Sequence, residues 1–291
     1  MATVGLLHPG EMGAAVGGCL VSAGHTVLWD PAGRSRATTG RALAAELSGA
    51  DLPTIVARCP VILSICPPHA ALDVARQVAA AGFAGVYVDA NAVSVATASA
   101  VASIVADGGA GYVDGGIIGP PPEAAGRTRL YLSGGRAAEV RALFGKSALD
   151  ARIAEGPPFA ASAVKMAYAA WTKGTSALLL ACRALARTEG VEQTLLGEWA
   201  LSQPALRAQS ERSAAAAAAK GWRWVAEMEE IAASMAAAGL PAGFHEAAAE
   251  IFDRAARADA AAAGRTAAAS GPGGAADAGD STLDTIMSAL T

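Results

Sequence analysis

Through the first half of the chain, short apolar runs alternate with alanine-rich stretches of helical character. The runs are Val4-Gly5-Leu6-Leu7, Thr26-Val27-Leu28-Trp29-Asp30, Val61-Ile62-Leu63-Ser64-Ile65, Val86-Tyr87-Val88-Asp89, Tyr112-Val113-Asp114 and Arg129-Leu130-Tyr131-Leu132-Ser133. Runs that are continuous rather than alternating suit strands covered on both faces. Helical segments are predicted near 69–81, 94–106 and 136–145. The alternation predicts an α/β domain over residues 1–156, built on a doubly wound, mostly parallel sheet of Rossmann type.

After Gly156-Pro157-Pro158 the pattern changes. From Phe159 to about Glu189 only Gly174 interrupts a helical sequence, which predicts one long helix. Further helices are expected near 191–201, 204–219, 221–238 and 243–262, with Gly239-Leu240-Pro241 as punctuation. Residues 157–262 thus read as an all-helical domain for substrate binding and dimerisation. The run Ala214–Ala219 has little to bury except by close approach to a neighbour. Residues 263–291 read as a flexible tail: Ala, Gly and Ser with Pro272 up to 280, then a short terminal helix over 281–290.

The chain has 291 residues, 53% hydrophobic and 16% charged, enough for two domains with separate cores. The most apolar stretch, Phe159 to Leu185, carries Lys165, Lys173 and Arg183, which argues against a membrane span. No cationic segment precedes an apolar core at the N-terminus, so no signal peptide is expected. Cys19, Cys59, Cys66 and Cys182 show no C-x-x-C spacing or histidine pairing, which fits reduced thiols in the cytoplasm and no metal site. A net charge of −4 gives no reason to expect nucleic acid as a partner.

The run Val4 to Gly13 reads as a strand, a tight turn, His8-Pro9-Gly10-Glu11-Met12-Gly13, and a helix opening among small residues. Such a turn aims the N–H groups of a helix N-terminus at a ligand above it, commonly a diphosphate. Gly10 permits close approach of a phosphate and Gly13 close packing of helix on strand, while His8 stands where G-x-G-x-x-G has its first glycine. Asp30, at the end of the second strand, is placed to accept ribose hydroxyls, which favours NAD. Arg34 and Ser35, directly after it, suit the 2′-phosphate of NADP. If Pro31-Ala32-Gly33 turns Asp30 away, NADP(H) is the cofactor; NAD(H) stays open.

Ligands of a doubly wound sheet bind beyond the carboxyl ends of its strands. There the sequence supplies Cys66-Pro67-Pro68, a loop stiffened near the nicotinamide ribose, and Asn91, a donor and acceptor for nicotinamide or substrate. It also supplies Asp114 followed by Gly115-Gly116-Ile117-Ile118-Gly119. Lys165 lies in the first third of the long helix among apolar residues, where lost hydration lowers its pKa towards proton exchange. By itself it reads as a snorkelling lysine. Tyr168 and Thr172 lie close to its face. Trp224, Glu227 and Glu230 share a later helix face, and with His245 they form a candidate substrate lining; core packing explains the aromatics equally well.

These motifs together resemble the β-hydroxyacid dehydrogenase and 6-phosphogluconate dehydrogenase superfamily, over residues 4 to about 260. The resemblance is strongest to a bacterial subgroup with a C-terminal helical domain of unsettled function. The family's G-x-x-G-x-G-x-M-G corresponds to Gly5–Gly13, its acidic strand end with A-P-V-S-G-G to Asp114–Gly119, and its lysine helix to Gly156–Ala169. The resemblance implies that Lys165 is the catalytic lysine, that Gly116–Gly119 holds substrate, and that a homodimer forms through the helical domains. Departures are Ile118 for a carboxylate-gripping serine, Ala169 for asparagine, and Thr172 for the acid of the decarboxylating branch.

The expectation is therefore an NADP(H)-dependent, non-decarboxylating oxidoreductase. Hydride would pass between the nicotinamide and a small carbonyl or hydroxy compound, with Lys165 as general acid/base and Asn91 orienting the substrate. Alternatives are an imine reductase of the same architecture and a catalytically inactive NADP(H)-binding sensor or scaffold.

Overall fold

Each strand run and each intervening alanine-rich stretch takes the form its pattern predicts in the computed structural model, which describes residues 1–269 and 282–291. The chain opens with β1 (Thr3–Leu7), α1 (Glu11–Ser22), β2 (Thr26–Trp29), α2 (Arg36–Ala44), β3 (Ser48–Gly49), α3 (Leu52–Arg58) and β4 (Val61–Ser64). A short 3-10 turn, Pro68–Ala70, leads into α4 (Ala71–Ala80). Then follow β5 (Val86–Asp89), α5 (Val95–Asp107), β6 (Gly111–Ile118), β7 (Thr128–Ser133), α6 (Ala137–Leu143) and β8 (Leu149–Ile153).

The strands form one sheet in the order β3-β2-β1-β4-β5-β6-β7-β8. Every neighbouring pair is parallel except β6 and β7. The order reverses between β1 and β4, which opens a crevice at the carboxyl ends of those strands. One apolar cluster covers each face, around Leu6, Val16, Leu63 and Leu130 on one side and around Ile55, Ile62, Val78, Tyr87 and Val101 on the other. The strand β8 was not foreseen, because Leu149-Asp150-Ala151-Arg152-Ile153 mixes charges into the run. It lies at the sheet's edge, where Arg152 pairs with Asp150 at 2.6 Å, and charged side chains blunt such an edge.

The helices that follow are α7 (Ala160–Thr188), α8 (Glu192–Ser202), α9 (Leu206–Ala237), α10 (Gly243–Ala269) and α11 (Thr282–Leu290). Backbone contacts divide the chain into Met1–Tyr168 and Ala169–Thr291, inside α7. The first turns of α7 belong with the sheet because sheet residues hold them. Ala161 N–H donates to the Ser133 hydroxyl at 3.3 Å, and Ser162 N–H donates to the Asp114 carboxylate at 3.0 Å.

Two expectations for the helical region need correction. The predicted break between 219 and 221 does not occur, since α9 runs on through Lys220 and Gly221. Gly221 instead permits close contact with α10: a Cβ there would lie 2.8 Å from the Phe252 carbonyl oxygen. Ala214, Ala217 and Ala218 are buried, as close packing requires. The second correction is that α10 continues to Ala269, so the tail expected from 263 begins as helix, in keeping with the high helix propensity of alanine. The remainder of that tail up to 281 lies outside the described residues. The terminal helix α11 buries Ile286 and Met287 and is tied to α7 by an Arg187–Asp284 pair at 2.8 Å.

Candidate functional site

The β1–α1 turn is shaped by close backbone contacts. Gly10 N–H donates to the His8 carbonyl at 2.7 Å across Pro9. A Cβ on Gly13 would lie 2.4 Å from that same oxygen, so only glycine lets α1 start this close to β1. No side chain caps α1 at Gly10, and a Cβ built on Gly10 would meet nothing within 4 Å. The turn thus presents an uncapped helix N-terminus under open space, the arrangement that receives phosphate. Glu11 opens the helix on the exposed side, while Met12 packs on the core.

At the end of β2 the Asp30 carboxylate accepts Ala32 N–H at 2.8 Å through Oδ1. Ser35 caps α2 through Thr38 N–H at 3.2 Å. Of the three residues singled out after β2, Arg34 is the one whose Nε is buried with no partner among the described residues. His8 Nδ1 is in the same condition. Burial pushes the His8 imidazole down to about 4, and the Arg34 guanidinium pushes it the same way.

Asn91 is buried and its side chain is occupied. Its Oδ1 accepts Cys66 N–H at 2.6 Å, and its Nδ2 donates to the Ser64 hydroxyl at 3.2 Å. It therefore ties the loop after β4 to the loop after β5, rather than standing open as an acceptor for substrate. The Cys66 thiol is pushed up to about 12, chiefly by burial, which rules out a thiolate nucleophile there. Pro67 and the buried Pro68 carry the loop into its 3-10 turn.

Behind this loop lies a buried polar cluster in which Asp114, placed at the strand ends by its sequence, joins Asp89, Ser133 and Ser162. Asp89 accepts Asn91 N–H at 3.1 Å and the Tyr112 hydroxyl at 3.4 Å. Burial raises its carboxyl to about 7 against the stabilising Asn91 bond, with the neighbouring Asp114 adding to the rise. Asp114 accepts hydrogen bonds from the Ser133 hydroxyl at 2.8 Å and from both the backbone N–H and hydroxyl of Ser162, at 3.0 and 2.5 Å. For Ser162 the available signal was a hydroxyl among alanines one turn before Lys165.

Lys165 follows on the same helix. Gly116 of β6 makes its position possible, since a Cβ on Gly116 would lie 2.9 Å from the Lys165 Cβ. Burial pushes the Lys165 ammonium down to about 8. Ile117 and Ile118 are buried at the end of β6. Gly119 takes φ +122, and a Cβ there would lie 2.4 Å from the Arg127 carbonyl oxygen, so it is a backbone requirement of the bend. Tyr168, one turn beyond Lys165, is half exposed.

In the helical unit, Lys173 forms an ion pair with Glu227 and lies 5.6 Å from the centre of the Trp224 ring. Trp224 meets Phe252 edge-on at 4.9 Å. His245 is buried with neither ring nitrogen partnered among the described residues. It packs beside Gly174, where a Cβ would be 3.4 Å from its Nε2. Trp224, Glu227 and His245 thus belong to one helix-packing region, with Thr172 next to Lys173 on α7. No group of three or more metal-ligating side chains occurs among the described residues, and none of the described helices is long and apolar enough to cross a membrane.

Residues 186–255 match the model of a domain of unknown function, DUF1932. No curated protein matches the chain. Among solved structures, the chain is similar to the conserved protein MTH1747, of unknown function and described as structurally similar to 3-hydroxyacid dehydrogenases. Identity is 28%, coverage 88% of this chain and 98% of that one, and the TM-score 0.63. It is similar to 3-hydroxyisobutyrate dehydrogenase from Mycobacterium tuberculosis at 21% identity, covering 100% of this chain and 99% of that one, with a TM-score of 0.61. A reductive aminase from Aspergillus terreus in complex with NADPH and ethyl levulinate is 22% identical, with 88% and 94% covered and a TM-score of 0.56. The chain therefore has the fold of the 3-hydroxyacid dehydrogenase-like proteins: a Rossmann-type sheet followed by a helical C-terminal region.

Proposed function

We propose that this protein is an NADP(H)-dependent oxidoreductase acting on a small carbonyl or hydroxy compound without decarboxylation. The observation that carries the reading is Lys165. It is a half-buried lysine held on the opening turns of α7 against β6 and pushed down to about 8. A cofactor fits the residues present. The uncapped start of α1, the open space at Gly10 and the unpartnered Arg34 Nε are what a dinucleotide's phosphates would satisfy. With Asp30 engaged on Ala32, the ribose contact favouring NAD is weakened, and Arg34 favours the 2′-phosphate of NADP.

The bound nicotinamide would supply or accept the hydride. Lys165, as the ammonium, would give its proton to the oxygen of a carbonyl being reduced; as the amine, it would accept one from an alcohol being oxidised. Near pH 8 both forms are populated, so one group serves either direction. Asn91 would act at one remove by fixing the Cys66 loop. The reductive aminase likeness supports a second reading, imine reduction, with Lys165 or the half-exposed Tyr168 giving the proton.

The same reading includes a homodimer through the helical region. Trp171, Leu178 and Leu185 recur every seventh residue on α7 and are 72%, 48% and 63% exposed, an apolar stripe that a second copy would cover.

The test is a panel of ketones, aldehydes and cyclic imines with NADPH, on wild type and Lys165→Ala. Turnover on carbonyls that falls by about two to four orders of magnitude in the variant, with NADPH affinity kept, supports the reading. Unchanged turnover in the variant rejects it, and NADPH binding with no turnover of any substrate favours a sensor or scaffold.

A further inference from the structure

His8 holds its backbone at φ +66, a conformation that a residue with a Cβ adopts rarely and that glycine adopts freely. Strain of this kind persists where the surroundings fix it, and it gathers at ligand clamps. Here the surroundings are backbone. The His8 carbonyl receives Gly10 N–H at 2.7 Å and closes against Gly13. A glycine would make the same turn, so what the histidine adds is its imidazole.

That imidazole has an unmet requirement. Its Nδ1 and the Arg34 Nε are both buried with no partner among the described residues, and the two side chains are near enough for the guanidinium to disfavour a charge on His8. Buried nitrogens are rarely left unpaired. An anion resolves such a pair: it accepts from the guanidinium and turns the neighbouring repulsion into attraction for a protonated imidazole. The uncapped start of α1 lies on the same turn, so backbone and side chains favour the same ligand charge.

We propose that His8 and Arg34 together grip a phosphate of the dinucleotide, and that His8 takes up a proton when that phosphate arrives. This rests on the dinucleotide-binding reading given above. Without ligand the imidazole is neutral at pH 7, held down to about 4. The phosphate raises its basicity, so binding is linked to proton uptake and affinity increases as pH falls. Among the described residues, Arg34 is the charged group that acts on the His8 imidazole; Arg34 and Asp89 both act on the Cys66 thiol after β4, and Glu11 opens α1 on the exposed side. Asp89 titrates near 7 and is common to wild type and His8 variants, so the difference between them isolates His8.

The experiment is titration calorimetry of the full chain with NADP⁺ and NAD⁺ at pH 5.5, 6.5 and 7.5, in two buffers of different ionisation enthalpy, so that protons taken up are counted. Wild type, His8→Gln and His8→Gly are compared; glycine suits φ +66 and guards against a misfolded glutamine variant. Wild type should gain about tenfold in affinity relative to both variants between pH 7.5 and 5.5, with a fraction of a proton taken up that the variants lack. Seen with both dinucleotides, the effect belongs to the diphosphate; seen with NADP⁺ alone, it belongs to the 2′-phosphate. Equal pH dependence and equal proton uptake in wild type and variants, with binding intact, overturns the proposal and leaves the proposed function standing. Absence of binding to either dinucleotide by wild type overturns the proposed function itself.

Discussion

Gly116 and Lys165 meet where α7 lies against β6. A Cβ on Gly116 would fall 2.9 Å from the Lys165 Cβ and 2.6 Å from the Ala161 carbonyl oxygen. Backbone atoms cannot yield as a flexible side-chain tip can, so Gly116→Ala must push the first turns of α7 off the sheet. We expect a stability loss of about 1–3 kcal/mol, typical of overpacking, and a fall in kcat larger than the change in NADPH affinity. Denaturant unfolding and steady-state kinetics on the same preparation check both.

Asp114 fixes the same helix from its end. Its carboxylate accepts from Ser162 N–H, the Ser162 hydroxyl and the Ser133 hydroxyl, at 3.0, 2.5 and 2.8 Å. Asp114→Asn keeps the shape, but its amide nitrogen can only donate where an oxygen now accepts. A buried donor is left unmet, at a cost of about 1–3 kcal/mol. Because the loss loosens the turn carrying Lys165, activity should drop while dinucleotide affinity holds. Ser162→Ala removes the hydroxyl bond but leaves the Asp114 contact to the backbone N–H, and should cost less on both counts.

These two contacts also show where the sequence was informative. The strand runs and the long α7 were legible because apolar periodicity is a local property of the chain. Gly10 and Gly13 were legible because glycines at that spacing between a strand and a helix are the local signature of a phosphate-binding turn. What escaped depends on partners distant in sequence. Gly221 reads as a helix breaker until Phe252 is seen against it. Asn91 reads as an open donor and acceptor until the loop bearing Cys66 closes on it. Gly115 and Gly116 made the end of β6 look like a loop, because glycine disfavours strands, yet pairing with β7 extends β6 to Ile118. Asp89 stood only as the last residue of a strand run, and it is its burial between β4 and β6 that raises its carboxyl to about 7.

That burial has a consequence for stability. The Asp89 carboxyl is raised from 3.8 to about 7 in the folded protein, so between those values the folded state binds a proton that the unfolded state has released. Stability contributed by this group therefore falls as pH rises from about 4 to about 7. Asp89→Asn, which keeps an acceptor for Asn91 N–H, removes the titration. Relative to wild type, the variant should gain stability at pH 8 compared with pH 5, by about 1 kcal/mol or more. Urea unfolding at the two pH values gives the double difference directly, and no change with pH would place Asp89 in a wetter setting.

The apolar stripe on α7 predicts its own disruption. A charge at Leu178, between Trp171 and Leu185, would have to be desolvated in any helix-to-helix contact formed there. Light scattering behind size exclusion should show wild type as a dimer and Leu178→Glu shifted to monomer at micromolar concentration, with far-UV helicity retained. Leu240 is also exposed but lies outside the stripe, so Leu240→Glu should leave the oligomer unchanged.

The pH dependence of turnover separates a catalytic Lys165 from one that merely packs. With its ammonium held near 8 by burial, alcohol oxidation requires the amine and should rise as pH passes upward through about 8. Carbonyl reduction requires the ammonium and should fall over the same interval. The two directions thus give mirrored limbs with one shared inflection in kcat/KM. A structural lysine would give neither limb. Lys165→Arg, with a charge that does not titrate in this range, should abolish the inflection in both directions while retaining dinucleotide binding. An inflection surviving in that variant would assign the proton to another group, and the half-exposed Tyr168 on the next turn is the one to replace first.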